Sequence, residues 1–310
     1  MVTVVDGANF LTDYREAASL QEKGESLGPQ DQRSVSNLLI DQIEFCDVLI
    51  LNKMDLVEET PGKEKLLMEI MSKLNPRAKV IKSTKGQVPL KEILNTGLFS
   101  FEQAQQAPGW LKEMRGEHTP ETEEYGISSM TFKSNRPFHS ERFWQFLNND
   151  WMSGIVRSKG IFWLATRMDT GGSWSQAGGQ VNITCAGGWM AAAFEKAIKD
   201  GKLDPKNLPP GLPDEMKSQL LDNEYGDRRQ LLVFIGIKLK KDEVEKKLHE
   251  CLVTDEEYAA GPDVWKTWTD PFPEWIGKAP EPSHDHSLDE KKGDEEVTEV
   301  HTESMTMDRS

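Results

Sequence analysis

The chain has 310 residues, a length that suggests two domains. Its formal net charge of −15 repels phosphates, which excludes nucleic acid as the main partner. No apolar run approaches the roughly 20 residues that cross a bilayer, and mean hydropathy is −0.59, so no membrane role is expected.

Three cysteines, Cys46, Cys185 and Cys251, lie far apart without a CxxC or CxC spacing. Such a sparse, odd set makes no disulfide framework, and a reducing, cytoplasmic setting is expected. Met1 to Asp6 lacks a charged segment and a cleavage site, so it does not read as a signal peptide. Val2 to Val5 is β-branched and runs into Asp6-Gly7, a strand followed by a turn. A strand ending in Asp also suits a Mg²⁺-binding carboxylate, and a plain strand-closing turn is at least as consistent. Asn9 to Gly28 reads as a partly helical linker. Ser34 to Phe45 reads as a helix.

Val48-Leu49-Ile50-Leu51 is a short buried strand. Asn52-Lys53-Met54-Asp55 follows at its carboxyl end, where open α/β sheets bind ligands. The chemistry of this quartet is specific. An Asp carboxylate can accept from N1–H and the exocyclic NH₂ of guanine, and the wrong base leaves it badly paired. The Asn amide can tie loops together, and the Lys stem can cover one face of the ring. Chance alone produces such a quartet in a chain of this length roughly 4% of the time. The competing reading is a strand-to-helix turn capped by Asp55.

Lys63 to Leu74 carries apolar residues at helical spacing and ends at Asn75-Pro76. Lys79-Val80-Ile81 is the next strand, entering Ser83-Thr84-Lys85-Gly86. In GTPases a Ser-small-Lys loop at this point supports the base through backbone N–H groups, although a polar loop after a strand is common. Leu90 to Leu94 reads as a helix. Gln103 to Pro120 is rich in Gln, Gly, Pro and charge, and all nine tryptophans lie after residue 109, starting with Trp110.

The pattern beyond that break is strand (Ile127 to Phe132), helix (Ser140 to Asn149), strand (Gly160 to Thr166), glycine-rich turn (Gly171-Gly172) and strand (Gln180 to Ala186). A helix around Met190 to Lys199, a strand from Gln230 to Ile237 and a helix from Lys241 to Cys251 complete it. This order suggests an antiparallel sheet with helices on one face. Arg157, Lys159, Arg228 and Arg229 flank strands, as a basic face for a client or phosphate, or as edge charges that discourage aggregation. His139 is expected to cap or pack. From Pro271 on, composition favours disorder. Glu281 to Ser310 holds ten acidic residues against Lys291, Lys292 and Arg309. His284, Asp285, His286 and His301 match no closed zinc site.

Thr3-Val4-Val5-Asp6-Gly7, Asp41-Gln42-Ile43-Glu44-Phe45-Cys46-Asp47 and Asn52-Lys53-Met54-Asp55 together resemble the CobW family of GTPase metallochaperones. Ser134-Asn135-Arg136-Pro137-Phe138-His139, Val156 to Ala165 and Gly226 to Gly236 look like that family's C-terminal domain. Trp174 to Gly179 is similar to its zinc-responsive and nitrile-hydratase-activator branch.

The resemblance implies the C-terminal half of a P-loop GTPase domain over 1–105, a parallel-sheet remnant. A linker over 106–125, an antiparallel-sheet α+β domain over 126–258 and an acidic tail over 259–310 follow. It implies that Asn52, Lys53 and Asp55 hold the guanine of GTP or GDP, with Ser83, Thr84 and Lys85 beside it. It also implies GTP-gated delivery of a metal, often zinc, to a client metalloenzyme bound through the C-terminal domain. In the family the Val-Val-Asp strand follows the switch elements, so Asp6 is not the expected metal-coordinating acid.

The departures are equally clear. No Gly-x-x-x-x-Gly-Lys-[Ser/Thr] and no Cys-x-Cys-Cys occurs. The ligands for Mg²⁺ and Zn²⁺ that the family implies, and the Glu-bearing switch segment, would lie upstream of Met1. A hydrophobic sheet edge is expected where the first strands would pair. The chain by itself is expected not to hydrolyse GTP above background. The alternative is a non-catalytic interaction module with a vestigial guanine site.

Overall fold

The computed structural model describes residues 1–15, 35–100, 109–114, 126–149, 154–203, 217–218, 220, 223–275 and 305–307. Two sheets organise them. The first is parallel, in the order β1 (Val2–Asp6), β2 (Val48–Asn52), β3 (Lys79–Lys82). Val2 pairs with Val48 and Asp6 with Asn52, so the carboxyl ends of β1 and β2 finish level.

α2 (Val35–Phe45) and α4 (Lys63–Leu74) cover one face of this sheet; α1 (Phe10–Arg15) and α3 (Met54–Glu58) are short. Ile40, Ile43, Leu67, Ile70, Met71 and Leu74 pack with Val5, Leu49 and Leu51, all at most 2% exposed. Period-3.6 helix stripes meet period-2 strand faces there. Asn75 ends α4 and fastens it. Its Nδ2 donates to the carbonyls of Ile43 and Cys46, both at 2.9 Å, and its Oδ1 accepts from the Arg77 and Ala78 amides. β1 is an edge strand of this sheet, and Met1, Val2 and Val4 are exposed.

The second sheet is antiparallel. Its order is β4 (Ile127–Ser134), β8 (Gln230–Ile237), β5 (Ile155–Phe162), β6 (Thr170–Ala177), β7 (Gln180–Gly188), β9 (Met305–Met307). One face packs Phe132, Phe162, Trp174 and Phe234 under α6 (Ser140–Leu147) and α8 (Lys241–Cys251). Val156, Ala177, Val233 and Ile235 join the core formed by Phe10, Tyr14, Ile40 and Ile43. The sheet therefore has its own helices on one side and α1 and α2 on the other. The remaining helices are α5 (Gly109–Met114), α7 (Met190–Lys199), α9 (Asp255–Ala260) and α10 (Pro262–Trp265).

Several elements differ from the sequence reading. Leu90 to Leu94 forms only a 3-10 turn over Leu90–Glu92, with Leu90 and Leu94 exposed. The strand expected from Gly160 begins at Ile155, because Arg157 and Ser158 are buried by partners that local patterning does not reveal. Gly171 and Gly172 lie inside β6 instead of making a turn. A Cβ at Gly172 would strike the Phe162 ring, and one at Gly171 would approach Trp189 to 2.8 Å. Pro271 to Trp275 packs on the aromatic core: Phe272 is buried, and Asp270 Oδ2 accepts from Arg167 Nε at 2.7 Å. His284, Asp285, His286 and His301 lie outside the described residues. Among the described residues, no helix is long and apolar enough to cross a membrane.

Candidate functional site

The carboxyl ends of β1, β2 and β3 each release a loop, and residues 52–55 sit between the other two. Asn52 is half-buried. Its Oδ1 accepts from the Gly86 amide at 3.0 Å, and its carbonyl accepts from the Gly7 amide at 2.9 Å. One residue thus fastens both flanking loops. Gly7 permits this approach: a Cβ there would lie 3.0 Å from the Asn52 carbonyl and 3.1 Å from Val57.

Lys53 has a left-handed backbone, φ 61°. That conformation costs a non-glycine residue on the order of 1 kcal/mol, and it turns β2 sharply into α3. Its Nζ donates to Asp6 Oδ2 at 2.8 Å. The pairing raises the Lys53 ammonium pKa. Asp6 Oδ1 also accepts from the Ala8 amide at 3.0 Å and the Asn9 amide at 3.2 Å, and Oδ2 from Asn9 Nδ2 at 3.0 Å. Partial burial would raise the Asp6 pKa, but the hydrogen bonds from Lys53 and Asn9 hold it below the usual carboxylate range.

Met54 anchors the turn from below. It is 3% exposed, and its amide donates to the Ser83 carbonyl at 3.1 Å. Ser83 is buried, its amide donating to the Leu51 carbonyl at 2.9 Å and its Oγ to the Gln87 carbonyl at 3.2 Å. Thr84 is half-buried. Lys85 is exposed with φ 53°, ahead of Gly86 with φ 71°.

Asp55 stands apart. It is exposed in the first turn of α3 and has no hydrogen-bond partner among the described residues. It does not cap that helix; Lys53 occupies the capping position, without a side-chain cap. The structure therefore brings Asn52, Lys53, Asp55, Ser83, Thr84 and Lys85 to one end of one sheet. It assigns Asn52, Lys53 and Ser83 to holding loops and leaves one carboxylate uncommitted. Sequence reading missed the partner of Lys53, because Asp6 lies 47 residues away.

The metals fare differently. Both Asp6 oxygens are taken up by internal donors, so this acid does not fit as a magnesium ligand. Among the described residues, no group of three or more His, Cys, Asp or Glu is placed to hold a metal ion. Cys46 and Cys251 are buried, and burial pushes both thiols up, Cys251 to about 12.

The candidate basic face is also revised. Arg157 and Arg228 are fully buried. Arg228 Nη1 and Nη2 donate to Glu195 at 2.7 and 2.9 Å, and its Nε donates to the Met168 carbonyl at 2.7 Å. Lys159 is half-buried with its ammonium 4.7 Å from the Trp110 ring centre. His139 stacks on Trp268 with ring centres 4.8 Å apart, so it packs.

The family profile described as "CobW/HypB/UreG, nucleotide-binding domain" matches residues 1–82, and "Cobalamin synthesis protein cobW C-terminal domain" matches residues 127–252. A zinc-regulated GTPase metalloprotein activator from Dictyostelium discoideum is 43% identical over 276 residues, which is 88% of this chain and 55% of the relative. A zinc chaperone from Mycobacterium tuberculosis is 26% identical over 89% of this chain and 61% of its own length. The chain thus spans a little over half the length of these curated relatives. Among solved structures, the Zn(II)-bound YjiA GTPase from E. coli is 16% identical, with a TM-score of 0.31 over 81% of this chain and 60% of that one.

Proposed function

Because the chain belongs to the CobW family, we propose that it carries the base-recognising part and the C-terminal domain of a GTP-dependent zinc chaperone. The observation that carries this reading is the uncommitted Asp55 carboxylate beside two loop-tying neighbours. Asp55 pairs with the N1–H and 2-amino group of guanine, Lys53 lays its stem along the ring, and the 83–86 loop lies alongside. The phosphates and their magnesium need a Gly-rich loop, and the sequence holds no such motif. Its relatives' names point to zinc as cargo and a metalloprotein as client, and we assign the binding of that client to the C-terminal domain.

Purified chain should bind GDP in a way that excess ATP does not compete. It should release phosphate from GTP no faster than a heat-denatured control. GDP binding abolished by ATP would overturn the guanine assignment, and turnover well above the control would overturn the second expectation.

A second reading is a non-catalytic interaction module with a vestigial guanine site. It is favoured by the sequence, in which no Gly-rich loop is present to hold a nucleotide's phosphates. A stable partner complex in a chain that ignores guanine nucleotides would select it.

A further inference from the structure

We infer that Asp6 is a positioning residue for guanine recognition: it holds Lys53 across the mouth of the base site by an ion pair between two adjacent strand ends. The inference rests on the guanine reading of residues 52–55 given above.

The geometry supports it in three ways. First, Asp6 and Asn52 are register partners on parallel β1 and β2, so Asp6 and Lys53 leave the sheet side by side. Asp6 Oδ2 receives Lys53 Nζ at 2.8 Å. Second, the Asp6 carboxylate is itself immobilised. The Ala8 and Asn9 amides and Asn9 Nδ2 all donate to it, and Lys63 Nζ ties the same loop to α4 through the Ala8 carbonyl at 2.7 Å. The acid is therefore a fixed post. Third, the Lys53 backbone is held in a left-handed turn. Both ends of this side chain are thus constrained, backbone at one end and ammonium at the other.

A lysine stem has about 2 kcal/mol of rotamer freedom to lose when it lies on a ring. A Lys53 already tethered to Asp6 has lost part of it before the base arrives, which is preorganisation. The pair is partly exposed, with side chains 46% and 30% accessible, so its contribution is modest and sensitive to salt. The inference also gives the Val-Val-Asp motif a role in this chain that needs no metal.

The test uses the full chain, titrated with GDP and with ADP and followed by the amide resonances of 53–56. Four proteins are compared: wild type, Asp6→Asn, Lys53→Ala and the double variant. Asp6→Asn keeps an oxygen for the Ala8 and Asn9 amides, removes the charge, and turns the oxygen that accepts from Lys53 Nζ and Asn9 Nδ2 into a donor. Wild type should prefer GDP. Asp6→Asn should weaken GDP about threefold to fivefold at low salt, and it should add nothing in the Lys53→Ala background. The hydrogen-bonded ammonium resonance of Lys53 should vanish in Asp6→Asn before any nucleotide is added, a change that a general loss of stability would not produce. Unchanged GDP affinity in Asp6→Asn, or the same loss with and without Lys53, would overturn the positioning role and leave the guanine reading standing. A wild-type chain that treats GDP and ADP alike would bring down the guanine reading, and this inference with it.

Discussion

Arg157 on β5 and Glu44 on α2 form a buried ion pair that joins the two sheets' layers. Nε donates to Oε1 at 2.8 Å and Nη2 to Oε2 at 3.3 Å, with the side chains 1% and 0% exposed. Arg157 Nη1 also donates to Ser175 Oγ and to the Gln176 carbonyl, both at 3.1 Å. Glu44 lies just before β2, the strand that delivers Asn52 and Lys53. Removing charges from water is expensive, and only close geometry with further hydrogen bonds offsets it.

Breaking this pair from one side should therefore be severe. Glu44→Leu or Arg157→Leu each leaves a charge buried without its partner and should cost about 3–5 kcal/mol. The double Leu variant should recover most of that loss. Urea titration of the three variants checks it; a double variant no better than the worse single would contradict the account.

Asp55 should behave oppositely. It is exposed and makes no hydrogen bond among the described residues, so Asp55→Asn should change stability by no more than about 0.5 kcal/mol. Guanine binding should fall, and xanthine nucleotides, which offer an acceptor where guanine has its 2-amino group, should gain. Competition between GDP and XDP on the two proteins measures this.

Asn52→Ala removes the acceptor for the Gly86 amide and leaves β2 intact, because the Gly7 amide bonds to the backbone carbonyl of residue 52. The expected cost is about 0.5–1.5 kcal/mol. Hydrogen exchange should speed up at Gly86 and stay unchanged at Gly7.

Glu257 sets an acid limit on the C-terminal domain. Arg142 Nη1 and Nη2 donate to its two oxygens at 2.8 and 2.6 Å, and it closes a capping box with Thr254. These bonds, that from Arg142 foremost, pull its pKa down to about 2 from 4.5. A depressed acid stabilises the fold above its unfolded pKa and loses that contribution as pH falls. The contribution should be full above about pH 5 and fade between about pH 4.5 and 2. It amounts to about 1 kcal/mol, because the pair is partly open to solvent. Denaturation midpoints measured from pH 6 to 2.5 should show a shallower acid loss in Glu257→Gln than in the wild type.

Much of the scaffold was legible from local pattern. The run Val48–Leu51 reads as a buried strand because four consecutive apolar residues have nowhere else to go. The stripe through Leu67, Ile70, Met71 and Leu74 defines α4, and Asn75-Pro76 ends it. β8 and α8 fall at the expected residues, Gln230–Ile237 and Lys241–Cys251. Elsewhere local signals misled. Two adjacent glycines suggested a turn at 171–172, but they are small so that the Trp189 and Phe162 rings can cross β6. Charged Arg157 obscured the start of β5, because polar residues on a strand ordinarily face water.

By itself, the order of residues determined the strand–loop units and the chemical identity of residues 52–55. Those depend on neighbours within one turn or one strand. Only the tertiary structure decided which charges meet. Arg157 finds Glu44 113 positions away, and Lys53 finds Asp6 at a distance of 47. Ion pairing is set by separation in space and by exclusion of water, and neither is written in any short stretch of chain.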